Sequence, residues 1–234
     1  MIKNLLQNYI KDYKITLTEN QYEQFQKYFE LLAEWNEKMN LTAITDESGV
    51  ALKHFADSLS LLNFVDIPQN SSLADVGTGA GFPGVVLKIA RPDIKLTLID
   101  SLNKRLVFLG EVCAQLGIEA ELIHSRAEDG ARDEKLRENF DFAVSRAVAR
   151  MNVLSEYCLP YVKVGGAFLA MKGALAGEEM EEAKRAVALL GGMIEQVYEY
   201  PIQDALHKAV VIRKIRPTPT KYPRAFAKIK KSPL

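Results

Sequence analysis

The chain has 234 residues, 48% of them hydrophobic, with 30 basic residues balanced by 30 acidic ones. That length suits one α/β domain with an extension, and it can bury a core large enough to need no covalent staple. Cys113 and Cys158 lie far apart on helix-like segments and lack a CxxC spacing, so a disulfide framework and a cysteine metal or redox site are both set aside.

The first residues, MIKNLLQNYIKDYKI, carry charges throughout, with no long apolar centre and no small-residue cleavage site, unlike a signal peptide. No apolar run is long enough to span a bilayer. The expectation is a soluble cytoplasmic protein without a membrane partner. Residues 1–65 read as a helical extension. Thr18 and Gln21 fit a capping box, and Tyr22, Phe25, Phe29, Leu32 and Trp35 then recur at helical spacing. Residues 36–48 are polar and read as a loop. Val50–Phe64 is a second helix candidate.

From about residue 70, short β-rich runs alternate with helical ones. Strands are expected at Leu73–Val76, Lys95–Asp100, Ala120–Ile123, Phe140–Ser145 and Ala167–Met171. Helices are expected at Gly84–Ala90, Asn103–Leu116, Ala149–Pro160 and Glu178–Leu190. This alternation implies a mostly parallel sheet covered on both faces. Met193–Tyr200 and Lys208–Ile215 have no helix between them and suit a hairpin with an antiparallel strand. The division expected is a helical extension over 1–65, a nucleotide-binding core over 66–216 and a basic tail over 217–234, packed as one compact domain. The tail, rich in Pro and Lys, reads as extended loop.

The charge is unevenly placed. No acidic residue follows Asp204, yet nine basic ones do: Lys208, Arg213, Lys214, Arg216, Lys221, Arg224, Lys228, Lys230 and Lys231. A basic end on a neutral chain fits a phosphate-binding footprint, and it equally fits a solvated tail.

The strongest local signal is Leu73-Ala-Asp-Val-Gly-Thr-Gly-Ala-Gly-Phe-Pro-Gly84, an apolar strand entering a glycine-rich turn before a helix. Glycines admit positive φ and let a ligand approach backbone N–H groups. Ligands of open parallel sheets collect at the C-terminal ends of the strands. Gly77, Gly79, Gly81 and, at the end of the next strand, Asp100 are therefore candidate cofactor residues. Gly79, Gly81 and Gly84 satisfy the GxGxxG dinucleotide pattern, and a carboxylate about twenty residues on can hold a ribose in either class of cofactor. Spacing alone leaves a nicotinamide cofactor and S-adenosylmethionine both open. The overlapping D-x-G-x-G-x-G register, its resident Asp75, and Pro83 at the head of the following helix favour the methyl donor.

Further motifs run along most of the chain: Trp35-Asn-Glu-Lys-Met-Asn-Leu-Thr42, His54-Phe-Ala-Asp-Ser58, Ser125-Arg-Ala-Glu128, Ser145-Arg-Ala-Val148, Arg216-Pro-Thr-Pro-Thr-Lys-Tyr-Pro-Arg224 and a final Lys231-Ser-Pro-Leu. With the glycine loop, in this order, they make the chain resemble the bacterial small-subunit (16S) rRNA guanine-N7 methyltransferase G family, also called glucose-inhibited division protein B. The resemblance implies a Rossmann-like class I methyltransferase fold, with a seven-stranded sheet of order 3-2-1-4-5-7-6 and strand 7 antiparallel. It implies methylation of guanine N7 at position 527, in the 530 loop of 16S rRNA, with S-adenosyl-L-methionine as donor and S-adenosyl-L-homocysteine as product. Carried onto this sequence, cofactor contacts fall on Gly77, Phe82, Ala127, Glu128 and Arg146.

Guanine N7 offers an in-plane lone pair and loses no proton, so no general base is expected and positioning is the protein's main task. Arg146 is the candidate for it, since a guanidinium offers a planar fork to a base edge, a phosphate or the methionine carboxylate. A structural ion pair is its plainer role. His54, His124 and His207 are dispersed and suggest neither a nucleophile nor a metal site. His54, Asp57 and Ser58 share a helix face that either borders the site or locks the extension onto the sheet. Lys172, Lys221, Tyr222, Arg224, Lys228, Lys230 and Lys231 are the candidate RNA contacts, with Tyr222 placed to stack on an unpaired base. The partner expected is 16S rRNA, the small ribosomal subunit or an assembly intermediate, met by a monomer. Two other classes remain: a methyltransferase acting on a small molecule or protein, and a nucleotide-binding regulator or dinucleotide oxidoreductase.

Overall fold

A computed structural model describes residues 1–173 and 176–234. The chain opens with α1 (Ile2–Tyr9) and α2 (Glu19–Met39). Thr18 starts α2 through a capping box: its hydroxyl accepts from the Gln21 N–H, and the Gln21 side-chain Oε1 accepts the Thr18 N–H at 2.7 Å. Asn40 stops the helix in the left-handed conformation at φ 50°. The helix thus runs further than the expected start of the loop at residue 36, because Asn40 is where the chain takes that turn.

The second expected helix is broken into α3 (Glu47–Val50), a π-helical turn over Ala51–Ala56, α4 (Asp57–Leu59) and α5 (Leu61–Phe64). A π turn inside a helical stretch re-aims side chains and often marks a functional site. Here it lies immediately before Asp57.

The core alternates as β1 (Ser72–Val76), α6 (Gly84–Ala90), β2 (Lys95–Asp100), α7 (Asn103–Leu116), β3 (Ala120–His124), α8 (Ala127–Gly130), β4 (Phe140–Arg146) and α9 (Met151–Cys158). A 3-10 turn at Leu159–Tyr161 then leads to β5 (Val162–Lys172), α10 (Ala176–Leu189), β6 (Gly192–Ile202), β7 (Ala205–Lys214) and α11 (Phe226–Lys231). The sheet order is 3-2-1-4-5-7-6. β7 pairs antiparallel with both β5 and β6, as the hairpin reading expected, and the other pairings are parallel.

The apolar strands β1 and β4 sit in the middle because both of their faces are covered. On one face, α1, α2, α6 and α7 share a core that includes Phe25, Tyr28, Phe55 and Phe108. On the other, α9, α10 and α11 pack over Phe168, Ile212 and Tyr161. The chain reverses direction across the sheet between β1 and β4, so a crevice opens where their C-terminal ends diverge.

The tail is loop over residues 217–225, as expected, but it ends in α11 and is packed against the core. Ile229 on α11 is fully buried, an anchor contributing about 2 kcal/mol. Tyr222 is buried, and Arg137 donates to the carbonyls of Tyr222 (2.9 Å) and Thr218 (2.8 Å). Lys214 is fully buried; its ammonium donates to Leu159 O, Val162 O and Thr218 Oγ1 and pairs with Glu138 at 2.9 Å. No helix among the described residues is long and apolar enough to cross a membrane.

Candidate functional site: two clefts sharing one arginine

The glycine turn connects β1 to α6 and forms the floor of a cleft of about 450 Å³. Gly77, at φ 73°, is required both by conformation and by space, since a Cβ there would meet Val148 at 2.7 Å. Gly84 is required by Asp75: a Cβ would stand 2.6 Å from its carboxylate. Asp75 lies under the turn rather than in the cleft. Its Oδ2 accepts from Thr78 Oγ1 and Gly84 N, both at 2.8 Å, and so ties the two ends of the loop together. Burial pushes its pKa up to about 6 despite those two hydrogen bonds.

The helical extension closes the cleft from the side. The buried Tyr28 hydroxyl donates to the Ala80 carbonyl within the glycine turn. Phe82 is buried, and the His54 ring stacks on it with centroids 4.5 Å apart. Thr42, from the loop after α2, reaches the cleft wall and bonds His54 Nε2 at 2.8 Å.

Across the cleft mouth lie the ends of β2 and β3. Asp100 is buried and already accepts from Gly79 N (2.9 Å), Leu102 N (2.9 Å) and Arg105 (3.3 Å). An ionised carboxylate has about four acceptor positions, so capacity for a ligand hydroxyl remains. Ala127 and Glu128 open α8 and also line the cleft. Glu128 is 4% exposed, and its Oε1 has no hydrogen-bond partner among the described residues. Burial raises its pKa above the ordinary glutamate value.

That buried, unsatisfied acceptor tests the fit of a nucleotide cofactor. A buried polar atom needs a partner, and an amine-bearing nucleobase in the cleft supplies one. The residues present fit an adenosine group: open glycine backbone at one end, a carboxylate at the end of β2 and an orphan acceptor beyond β3.

A second cleft of about 600 Å³ adjoins the first, lined by Lys53, Asp57, Met171, Lys172, Asp204 and His207 among others. The two clefts share His54, Arg146 and Ala147. Arg146, the last residue of β4, is therefore their common wall. Its NH1 donates to Lys53 O at 2.7 Å and to Asp57 Oδ2 at 3.0 Å, and its NH2 lies 3.1 Å from His54 Nδ1. Its guanidinium also stands 5.0 Å from the Phe82 ring centroid. Ala147 follows with φ 58°, a strained conformation for a residue with a Cβ, held where the two clefts meet.

Asp57 is the hub behind Arg146. Its Oδ1 accepts from the Tyr200 hydroxyl (3.0 Å) and pairs with His207 Nδ1 (3.1 Å). Burial alone would raise its pKa, but the His207 hydrogen bond and the Arg146 charge outweigh it and hold the carboxyl below its usual value. His54 is pushed down to about 4, by burial first and then by the Arg146 charge. It is neutral; its Nδ1 lies 3.1 Å from both the Arg146 guanidinium and Lys53 O, and its Nε2 lies 2.8 Å from Thr42 Oγ1.

The three residues expected on one helix face divide accordingly. His54 and Asp57 clamp Arg146, whereas the fully buried Ser58 hydroxyl donates to His54 O at 2.6 Å inside its own helix. His54 and His207, dispersed in sequence, are linked through one ion pair: His207 bonds Asp57, and His54 bonds its partner Arg146. His124 stays apart and bonds Ser101 O at 3.1 Å. The described residues contain no metal-ligand cluster, and both cysteines are free and buried.

Several expected RNA contacts are engaged internally. Tyr222 is buried, so its ring is not presented to a base. Arg224 pairs with the fully buried Glu156 at 2.6 Å. Lys172 pairs with Glu179 at 2.7 Å and donates to Ala149 O. Lys221, Lys228, Lys230 and Lys231 are exposed. Sequence reasoning missed Tyr28, Thr42, Arg126, Val148 and Phe226 as cleft neighbours. Thr42, Arg126 and Val148 belong to motifs that were legible, but Tyr28 and Phe226 carried no signal in one dimension.

The sheet order, the glycine turn and the acid ending β2 define a Rossmann-like methyltransferase fold. Solved structures agree. Precorrin-6y C5,15-methyltransferase from Geobacter metallireducens GS-15 aligns with a TM-score of 0.52 and 13% identity, over 67% of this chain and 86% of that one. A mutant of the 16S rRNA (adenine(1408)-N(1))-methyltransferase from Catenulisporales acidiphilia aligns with a TM-score of 0.54 and 17% identity, over 64% and 87%.

The sequence comparisons are more specific. A family model described as rRNA small subunit methyltransferase G matches residues 21–205. Ribosomal RNA small subunit methyltransferase G of Alkaliphilus oremlandii (strain OhILAs) is 49% identical over 236 residues, covering 100% of this chain and 99% of the relative. The protein of the same name from Thermoanaerobacter sp. (strain X514) is 53% identical over 227 residues, covering 96% and 95%. The chain belongs to the rRNA small subunit methyltransferase G family.

Proposed function

We propose that the chain is an S-adenosylmethionine-dependent methyltransferase acting on N7 of a guanine, position 527 in the 530 loop, of 16S rRNA. The observation that carries this reading is the pair of clefts meeting at Arg146: one built for an adenosine-bearing donor, the other broad enough for a base. Family membership supports the substrate class. The donor, when bound, supplies an electrophilic methyl group on a sulfonium.

The chain's own residues then have three tasks. Gly77, Gly79, Phe82, Asp100, Ala127 and Glu128, all of which line the first cleft, hold the donor, whereas the expected Gly81 faces Tyr28, Leu109 and Val85 and serves the turn instead. The extension, through Tyr28 and His54, fixes the glycine turn and the Phe82 ring. Arg146 positions. Its hydrogen bonds to Lys53, Asp57 and His54 leave part of its five-donor fork for an acceptor such as guanine O6, beside N7 on the same base edge.

No proton leaves N7, and the site matches that chemistry. Both ring nitrogens of the buried His54 are engaged, Nδ1 beside Arg146 and Lys53 O and Nε2 with Thr42, so it is not placed to act as a base. Lys221, Lys228, Lys230 and Lys231 remain the candidates for phosphate contact, while Tyr222 and Arg224 hold the tail in place.

The test is to incubate the protein with methyl-labelled donor and small subunits lacking its own modification, then to map the label by nuclease digestion and mass spectrometry. Label on N7 of one guanine of the 530 loop is expected. Label elsewhere in the RNA would break the target assignment. Donor binding with no transfer to subunits, free rRNA or assembly intermediates would refute the RNA substrate.

A further inference from the structure

The tail brings to the first cleft a side chain that neither the glycine turn nor the strand ends account for. Phe226, the first residue of α11, lines this cleft and is 41% exposed. Lone exposed apolar residues are ordinary on protein surfaces. This one is distinguished by three neighbours.

First, the Arg126 guanidinium stands 4.7 Å from its ring centroid, which places the ring against the turn between β3 and α8. Second, that turn continues into Ala127 and Glu128, whose buried Oε1 has no partner among the described residues. An apolar ring face and an orphan acceptor thus flank the same end of the cleft, away from the glycine turn. Third, the ring is carried by an anchored element. Ile229 is fully buried on the same helix, and the Arg224–Glu156 pair fixes the chain just before it.

An aromatic face beside an unsatisfied carboxylate oxygen selects a flat heterocycle with an exocyclic amine. We propose that Phe226 belongs to the cofactor site: its ring packs against the adenine of S-adenosylmethionine, braced by Arg126, while Glu128 takes the amine. This deepens the methyl-donor reading and rests on it.

The experiment is calorimetric titration of the full-length protein with S-adenosylhomocysteine and, separately, with adenosine, for the unmodified protein and for Phe226→Ala, Phe226→Leu and Phe226→Tyr. A base packed on an aromatic ring gains enough that its loss should weaken both ligands about tenfold in Phe226→Ala. Phe226→Leu, apolar but without a π face, should also weaken both, and Phe226→Tyr should stay within about twofold of the unmodified protein. Because the ring is substantially exposed, ligand-free melting temperatures should be nearly equal, which separates a binding role from a merely structural one.

Equal affinity of Phe226→Ala and the unmodified protein would overturn the proposal and leave the methyl-donor reading intact. Weakening of S-adenosylhomocysteine but not of adenosine would overturn it too, since the ring would then not act on the base. Failure of the unmodified protein to bind either ligand would refute both readings.

Discussion

Replacing Arg224 by Ala should destabilise the protein strongly without being an RNA-binding defect at heart. Glu156 is fully buried on α9. Its carboxylate accepts from Arg224 N (2.8 Å), Nε (2.9 Å) and NH2 (2.6 Å). Removing the guanidinium strands a buried carboxylate, which costs about 3–5 kcal/mol. The backbone N–H of residue 224 survives the substitution, so the lower end, about 3 kcal/mol, is expected. With an m-value of about 2 kcal/mol/M, the urea midpoint should fall by about 1.5 M. The double variant Arg224→Ala/Glu156→Leu should recover most of the loss, because no uncompensated charge is left inside. A midpoint shift under about 0.5 M for Arg224→Ala, or no recovery in the double variant, would refute the argument that this arginine is an internal fastener.

Three further outcomes follow from the site. His54 is neutral in the fold with a pKa of about 4 but titrates near 6.5 when unfolded, so its contribution is intact above pH 6.5 and is lost as pH falls toward 4; it amounts to roughly 3 kcal/mol, and His54→Gln should flatten the stability–pH curve in that window as followed by chemical denaturation. Arg146→Lys keeps the charge but loses the fork that grips Lys53 O, Asp57 and His54 together, so the single-turnover methylation rate should drop about a hundredfold; a rate near that of the unmodified protein would remove Arg146 from the positioning role. Neutralising Lys221, Lys228, Lys230 and Lys231 to Gln should lessen the slope of log affinity for rRNA against log salt by about three, at roughly 0.7 per phosphate contact on single-stranded RNA, and an unaltered slope in filter binding would dismiss the tail as an RNA contact.

The sequence by itself settled the features that depend on local chemistry. β2, α6 and α7 lie at the residues expected from periodicity alone, because alternation and the 3.6-residue repeat are imposed by the covering of sheet faces and helix stripes. The glycine turn was legible for the same reason: a strand that must bend sharply beneath a ligand has to use residues without a Cβ. Charge counting was less sound, since it treated Lys214, Arg224 and Lys221 alike. Only tertiary packing separates them, burying Lys214 among carbonyls and Arg224 against Glu156 while leaving Lys221 in water.

The tertiary structure alone decided what surrounds Arg146. Asp57, His207 and Tyr200 come from the extension and from the β6–β7 hairpin, up to 150 residues apart, and they converge because that hairpin returns beside β5. It likewise brought Phe226 to the far end of the first cleft. Helix and strand periods are written into neighbouring residues, but a hydrogen bond between distant segments exists only once the sheet order has placed their ends side by side.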